Sequence, residues 1–205
     1  MSGAVPPRAA GGLGALVLAS NNPGKLREFD ALLAPLGITV HAQGAFNVSE
    51  ADEPHCTFLE NALEKARHAA RATGLPALAD DSGICVNALG GAPGVHSARF
   101  GGVPKSDVRN NAMLVEALAA QSDHSAYYYC VLVLVRHAED PQPLLAEGFW
   151  HGEVIAVPRG DGGFGYDPHF WLRALGKTVA QLSAAEKNLL SHRAQALRVL
   201  IERLR

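Results

Sequence analysis

Apolar residues run from Leu16 to Ala19 and stop at a short polar turn that ends in Lys25. This pattern predicts a strand over 16–20 and a helix over 25–36, with Leu26, Phe29, Leu32, Leu33 and Leu36 on one face. Asn22 suits the helix cap, Pro23 its first position, and Gly37 its end. A second strand follows over 38–42, then an acidic stretch at 49–56 with too few apolar residues to be core. Thr57 and Glu60 have the spacing of a capping box, opening a helix that Gly74 and Pro76 stop near 73. The apolar run at 77–79 is expected to break at Asp80, Asp81, Ser82 and Gly83 and to resume over 84–89. A Gly/Pro-rich loop over 90–105 leads into a helix over 107–120 and a long apolar strand over 126–136, of the kind found at a sheet's centre. Residues 144–149 and 153–157 read as a hairpin, and 161–170 as an interrupted loop.

The C-terminal pattern carries a geometric constraint. Ser183 and Glu186 form a second capping-box signature, and Ala194, Leu197, Leu200, Ile201 and Leu204 define the last helix. In one continuous helix, Lys187 and Arg193 would lie about 240° apart around the axis. A break at Ser191, with His192 and Arg193 in the first turn of a new helix, would bring them together; one continuous surface helix is the other reading, and the pattern alone favours it. Cations at a helix N-terminus oppose its dipole, so such a placement suggests an anion or carbonyl oxygen to be met. Strands and helices alternate, which indicates an α/β fold with a mixed sheet.

Composition narrows the picture. The chain has 205 residues, 48% of them hydrophobic, enough for a real core in one domain or two closely joined lobes. A formal net charge of −2 argues against a nucleic-acid partner held by bulk charge. Any negative ligand must be met by a few local cations. Cys56, Cys85 and Cys130 support neither a disulfide framework nor a zinc site, and fit a reducing cytoplasm. No run is long and apolar enough to span a membrane. Residues 1–14 lack the features of a signal peptide and read as a flexible tail, which leaves 15–205 as a single domain.

Several residues could carry chemistry. Free backbone N–H groups of the turn, the positive end of the helix and Lys25 are expected to converge on one place, an anion site for which phosphate is the best candidate; the turn equally fits a plain connection with a solvated lysine. The Walker spacing is absent. Asp80 and Asp81 sit between apolar segments, where charge must be paired or bind metal, and carboxylates suit Mg²⁺; a turn with Asp80 or Ser82 hydrogen-bonded to backbone is the other reading. Asp52 and Glu53 offer a second acidic pair. Lys65 lies about two turns into its helix. Residues 162–167 combine flexible backbone, Phe164, Gly165, Tyr166 and Asp167, a composition that suits stacking a base and reading its edge.

Taken together, SNNPGK at 20–25, TFLENALEKARHAA at 57–70, ADDSGICVNALGGAPGVHSARF at 79–100, GGFGYDPHF at 162–170 and EKNLLSHRAQAL at 186–197 resemble the inosine-triphosphate pyrophosphatase family, its bacterial branch most of all. The resemblance implies an elongated, curved mixed sheet flanked by helices, with a nucleotide cleft between two lobes, and usually a homodimer. It implies hydrolysis of noncanonical purine nucleoside triphosphates (ITP, dITP, XTP) to monophosphate and pyrophosphate. By that likeness, Ser20, Asn21, Asn22, Pro23, Gly24 and Lys25 bind triphosphate, and Asp81 is proton acceptor and Mg²⁺ ligand, with Asp80 beside it. Ser82 touches substrate. Asp52 or Glu53 helps hold the metal; Pro54 and His55 follow where Thr-Gly is commoner, so either acid could coordinate. Lys65 neutralises phosphate. Phe164, Gly165, Tyr166, Asp167, Lys187, His192 and Arg193 recognise the base. When charged, Lys187, His192 and Arg193 only donate, which favours a 6-oxo purine over a 6-amino one. A related septum-associated group opens on an arginine-rich turn that is missing here. A nucleotide sensor without turnover would have no need to keep the acids.

Overall fold

The computed structural model describes residues 13–204. Its elements in order are β1 (Ala15–Leu18), α1 (Pro23–Leu33), β2 (Thr39–Ala42), α2 (Phe58–Thr73), β3 (Ala77–Val86), α3 (Asp107–Leu118), β4 (Ser125–Val135), β5 (Leu144–Val154), β6 (Phe170–Leu172), β7 (Lys177–Thr178), α4 (Ala184–Leu190) and α5 (His192–Leu204). The strands form one open sheet in the order β2-β1-β3-β4-β5-β6-β7. β1 is parallel to β2 and β3, and the remaining pairs are antiparallel. This is the mixed α/β architecture that the alternation of elements predicted.

Local chemistry explains most of the ends. Asn22 caps α1 with Pro23 as its first residue. A 3-10 turn over Ala34–Leu36 finishes the helical segment at Gly37, whose φ of 74° is the left-handed stop that glycine adopts readily. Thr57 caps α2 by accepting the Glu60 N–H, but the Glu60 carboxylate takes the Thr57 hydroxyl at 2.6 Å in place of its backbone N–H, so the capping box is half formed. The Ser183 box is complete, and Ser191 separates α4 from α5, the broken rather than the continuous reading of this segment.

Two expectations fail. β3 is not interrupted: Asp80, Asp81, Ser82 and Gly83 pair in register with Leu132, Val131, Cys130 and Tyr129 of β4. Cationic side chains compensate the charges, so the backbone keeps its ladder. Nor do 144–149 and 153–157 form a hairpin. β5 is a single strand of 11 residues that pairs with β4 from Leu144 to Glu153. Gly152 marks a close approach instead of a turn, since a Cβ there would lie 2.6 Å from the Phe170 ring.

The long strands β3, β4 and β5 run through two regions. At one end Leu78, Leu132 and Leu134 pack under α1 and α5, while Ala79 and Val133 on the opposite face meet the alanine stripe of α2. At the other end Ile84, Tyr128 and Trp150 pack with Leu114 and Leu118 of α3. Asp80 and Ser82 therefore lie between two apolar clusters, midway along a central strand. The tail expectation for residues 1–12 lies outside the described residues. Gly14 accepts a hydrogen bond from the Thr39 N–H at 3.0 Å. Among the described residues no helix is long and apolar enough to cross a membrane.

Candidate active site

The turn after β1 is self-capped. Ser20 Oγ accepts from the Asn22 N–H at 3.1 Å, and Asn22 Oδ1 accepts from the N–H groups of Gly24 and Lys25 at 2.8 and 3.3 Å. The expectation of free N–H groups at this turn is corrected: Asn22 already satisfies those of Gly24 and Lys25. Ser20 and the Lys25 ammonium are what line the adjacent cleft of about 510 Å³. Asn21 packs against Gly44, where a Cβ would come within 2.7 Å of its Oδ1.

Strand alternation sends Asp80 and Asp81 to opposite faces of β3. Asp80, with a fully buried side chain, meets the Lys25 ammonium on one oxygen. Its other oxygen accepts from Arg193 Nε at 2.9 Å. Arg193 is 4% exposed; it also donates to Glu28 Oε2 at 2.7 Å and to Ser82 Oγ at 3.3 Å. Burial alone would raise the Asp80 pKa, but Lys25, Arg193 and Lys65 together hold it well below the usual carboxylate range. Arg193 in turn is pushed above its ordinary value, because Asp80 and Glu28 outweigh its burial.

On the other face, the Lys65 ammonium bridges two carboxylates, Asp81 Oδ1 at 2.8 Å and Glu53 Oε1 at 2.7 Å. Burial pushes the Asp81 carboxyl up, Lys65 draws it down, and Glu53 and Asp80 add to the rise; the direction is upward. Lys65 is raised as well, its burial outweighed by Asp81, Asp80 and Glu53. Asp52 is exposed and lines the same cleft as Glu53. Among the described residues no cluster of three or more acid, His or Cys side chains stands ready as a metal cage. The convergence of Asp81 and Glu53 on one cation nevertheless matches Mg²⁺, which takes one or two carboxylates and completes its shell with phosphate and water.

A second group forms at the start of α5. Asp167 Oδ2 accepts from the Phe164 N–H at 2.9 Å and from the Lys187 ammonium, and Lys187 Nζ also lies 4.4 Å from the Phe164 ring centre. Phe164 is half exposed. The Tyr128 hydroxyl donates to Asp167 Oδ1 at 3.1 Å, and its ring stacks on His192 at 4.9 Å with planes 15° apart. Burial, with Arg193 next in effect, holds His192 well below its ordinary pKa, so it is neutral and keeps an acceptor nitrogen. The charged donors here are therefore Lys187 and Arg193, with His192 set apart from them. His192 Nδ1 is buried with no protein partner. Gly165 is pinned at both ends of its backbone, its N–H by Asp107 at 2.7 Å and its carbonyl by Asn111 at 2.8 Å. Tyr166 donates to the Ser97 carbonyl at 2.8 Å.

The structure thus gathers Ser20, Lys25, Asp52, Glu53, Lys65 and Asp80 around one cleft, with Asp81 bound to Lys65 in its wall. It sets Phe164, Asp167, Lys187 and His192 together in a second group, and Arg193 beside it reaches back to Asp80 and Ser82. Sequence reading missed Glu28 and Tyr128. Glu28 lies one helical turn beyond Lys25 and looks like a solvated helix acid; Tyr128 is one of three consecutive tyrosines in a strand. Neither has a local signal, because each partner lies on a distant segment.

The fold is an open mixed α/β sheet flanked by helices, with a polar cleft lined by Ser20, Lys25, Glu53, Lys65 and Asp80. The sequence matches the Ham1 family over residues 16–203, and the chain belongs to that family. It is 70% identical over 193 residues to a dITP/XTP pyrophosphatase of Ralstonia nicotianae, covering 93% of this chain and 96% of that one. It is 68% identical over 190 residues to a dITP/XTP pyrophosphatase of Chromobacterium violaceum, with coverages of 93% and 96%. A HAM1 protein from Coxiella burnetii has the same fold, with a TM-score of 0.89 at 47% identity over 93% of this chain and 98% of that one. The Staphylococcus aureus Ham1 protein follows with a TM-score of 0.84 at 37% identity, over 93% and 97%.

Proposed function

We propose that this chain hydrolyses noncanonical purine nucleoside triphosphates, dITP, XTP and ITP, to the monophosphate and pyrophosphate, and so cleanses the nucleotide pool. The observation that carries this reading is the Lys65 ammonium held between Asp81 and Glu53 in a cleft shared with Ser20 and Lys25. Relatives at 62–70% identity that bear the name dITP/XTP pyrophosphatase support it.

In this reading residues 15–205 act as one domain. The turn at 20–25 holds the triphosphate through Ser20 and Lys25, with Asn22 capping the helix behind them. Asp81, with Glu53 or Asp52, would hold Mg²⁺, which supplies charge neutralisation and orients phosphate oxygens when bound. Asp81 takes the proton from the attacking water; its raised pKa suits an acceptor better than the depressed pKa of Asp80 does. Asp80 instead fixes the Lys25 ammonium, which with Lys65 faces charge developing on the leaving group. Lys187 and Arg193 donate to the 6-oxo group, Phe164 stacks on the ring, and Ser82 touches substrate. A 6-amino purine would present a donor to those donors, a mismatch that can discriminate by orders of magnitude. The enzyme is read as a cytoplasmic homodimer, which sedimentation of the purified protein tests.

The test is pyrophosphate release from ITP, XTP, ATP and GTP with Mg²⁺. Fast release from ITP and XTP alone, abolished by Asp81→Asn, is expected; binding of ITP without release would sink the assignment in favour of a sensor. Arg193→Ala is expected to lower both kcat/KM and the preference for ITP over ATP, and an unchanged preference would remove Arg193 from base reading.

A further inference from the structure

Arg99 and Lys105 belong to none of the roles above, yet both line the phosphate-side cleft. The 3-10 turn Gly94–Arg99 lies directly on β3 at Gly83, where a Cβ would sit 2.4 Å from Ser97 Oγ and 2.5 Å from the Gly94 carbonyl oxygen. Ser97 Oγ accepts from the Ile84 N–H at 2.9 Å and donates to the Gly94 carbonyl at 2.6 Å, which locks the turn to the strand that carries Asp81. This places Arg99 Nη1 3.8 Å from Glu53 Oε2. Buried Asn110 of α3 then holds the backbone on both flanks of Arg99: its amide donates to the Ala98 carbonyl at 3.1 Å, and its oxygen accepts from the Gly101 N–H at 2.7 Å. Arg109 donates to the carbonyls of Gly101 and Pro104, just before Lys105.

Two cations are therefore presented to the cleft from a braced segment. The Arg99 side chain is 39% exposed and its ion pair is long, so most of its five N–H donors remain for a ligand. The cleft's lining includes neither Phe164, Asp167, Lys187 nor His192, so Arg99 and Lys105 lie on the side of Ser20, Lys25 and Lys65, apart from the Phe164 group.

We propose that Arg99, assisted by Lys105, grips the β- and γ-phosphates and stabilises the leaving pyrophosphate, an inference that rests on the pyrophosphatase reading above. In that reaction a water oxygen bonds to the α-phosphorus and the bond from the α-phosphorus to the α–β bridging oxygen breaks. The bridging oxygen leaves with that electron pair as part of pyrophosphate, and the water's proton passes to Asp81 and then to solvent. Negative charge grows on the departing group, so a cation fixed there contributes more to the transition state than to the bound substrate.

The test compares binding of Mg²⁺-pyrophosphate by calorimetry with inhibition by IMP, which lacks the β- and γ-phosphates. Arg99→Ala is expected to weaken pyrophosphate about tenfold or more while IMP inhibition and the melting temperature stay unchanged. Arg99→Lys, which keeps the charge but not the planar fork, should recover part of the loss. Equal weakening of pyrophosphate and IMP, or no change in pyrophosphate binding, would overturn the proposal. If Arg99→Ala does not fold, Lys105→Ala and Arg99→Lys decide: both must weaken pyrophosphate selectively. A wild-type protein that releases no pyrophosphate from ITP would defeat the reaction assignment instead, and the binding comparison would still decide the clamp.

Discussion

Asp80 and Asp81 are neighbours on one strand with the same carboxyl group, both feel Lys65, and yet their direct partners differ. Asp80 is fully buried between Lys25 and Arg193 and is held ionised. Asp81 shares one ammonium with Glu53 beside an open cleft, and its pKa is displaced upward. The period of two along a strand separates them, so Asp80 is buried between Lys25 and Arg193 while Asp81 pairs with Lys65.

Substitutions can break or sharpen this contrast. The largest effect belongs to Asp81→Asn, expected to lower the rate of pyrophosphate release from ITP by about 10²–10⁴-fold with little change in urea midpoint. Asp80→Asn should show the reverse emphasis. It leaves Arg193 and Lys25 without their buried counter-charge, and the loss of stability in urea titration should be about 3–5 kcal/mol. If the two variants lose activity and stability in the same proportion, the division of labour is wrong.

Glu53→Gln against Asp52→Asn sharpens the Asp81 face. The Mg²⁺ concentration for half-maximal rate is expected to rise in the first and change less in the second, because Glu53 already shares a cation with Asp81. The reverse order would make Asp52 the ligand.

Acid should separate the two regions further. His192 has a folded pKa below its unfolded value of 6.5, so the unfolded chain binds more protons under acidic conditions. Its contribution is fully present above pH 6.5 and is lost as pH falls from there towards the folded value, at no more than about 1.4 kcal/mol per pH unit. His192→Asn should flatten the melting temperature between pH 6.5 and 5. Asp80, depressed from 3.8, contributes stability that is lost only at still lower pH. Smallest of all, Glu28→Gln should cost about 1 kcal/mol, since its pair with Arg193 is partly exposed and Asp80 remains.

Much of this arrangement was legible in the chain. The alternation of elements, the Asn22 cap and the Ser183 box follow from local propensity and helical geometry, which act over a few residues, whereas the break at Ser191 was one of two local readings. The grouping of Lys25, Lys65 and the acid pairs was legible as a set of motifs. Two readings failed for one reason: Asp80–Gly83 and Gly152 carry the local signals of breaks, and long-range partners overrode them. Glu28, Tyr128 and the braced Arg99 could not be found locally, because their partners lie on distant segments.

By itself the sequence determined the class of fold, where helices start and stop, and which residue types could meet a phosphate, a metal and a purine. Only the tertiary structure decided which carboxylate takes which cation, that Asn22 already caps the turn's N–H groups, and that His192 is buried neutral. Helix caps and strand alternation are short-range properties written in adjacent residues. Charge pairing and burial depend on which distant segments the sheet order brings into contact.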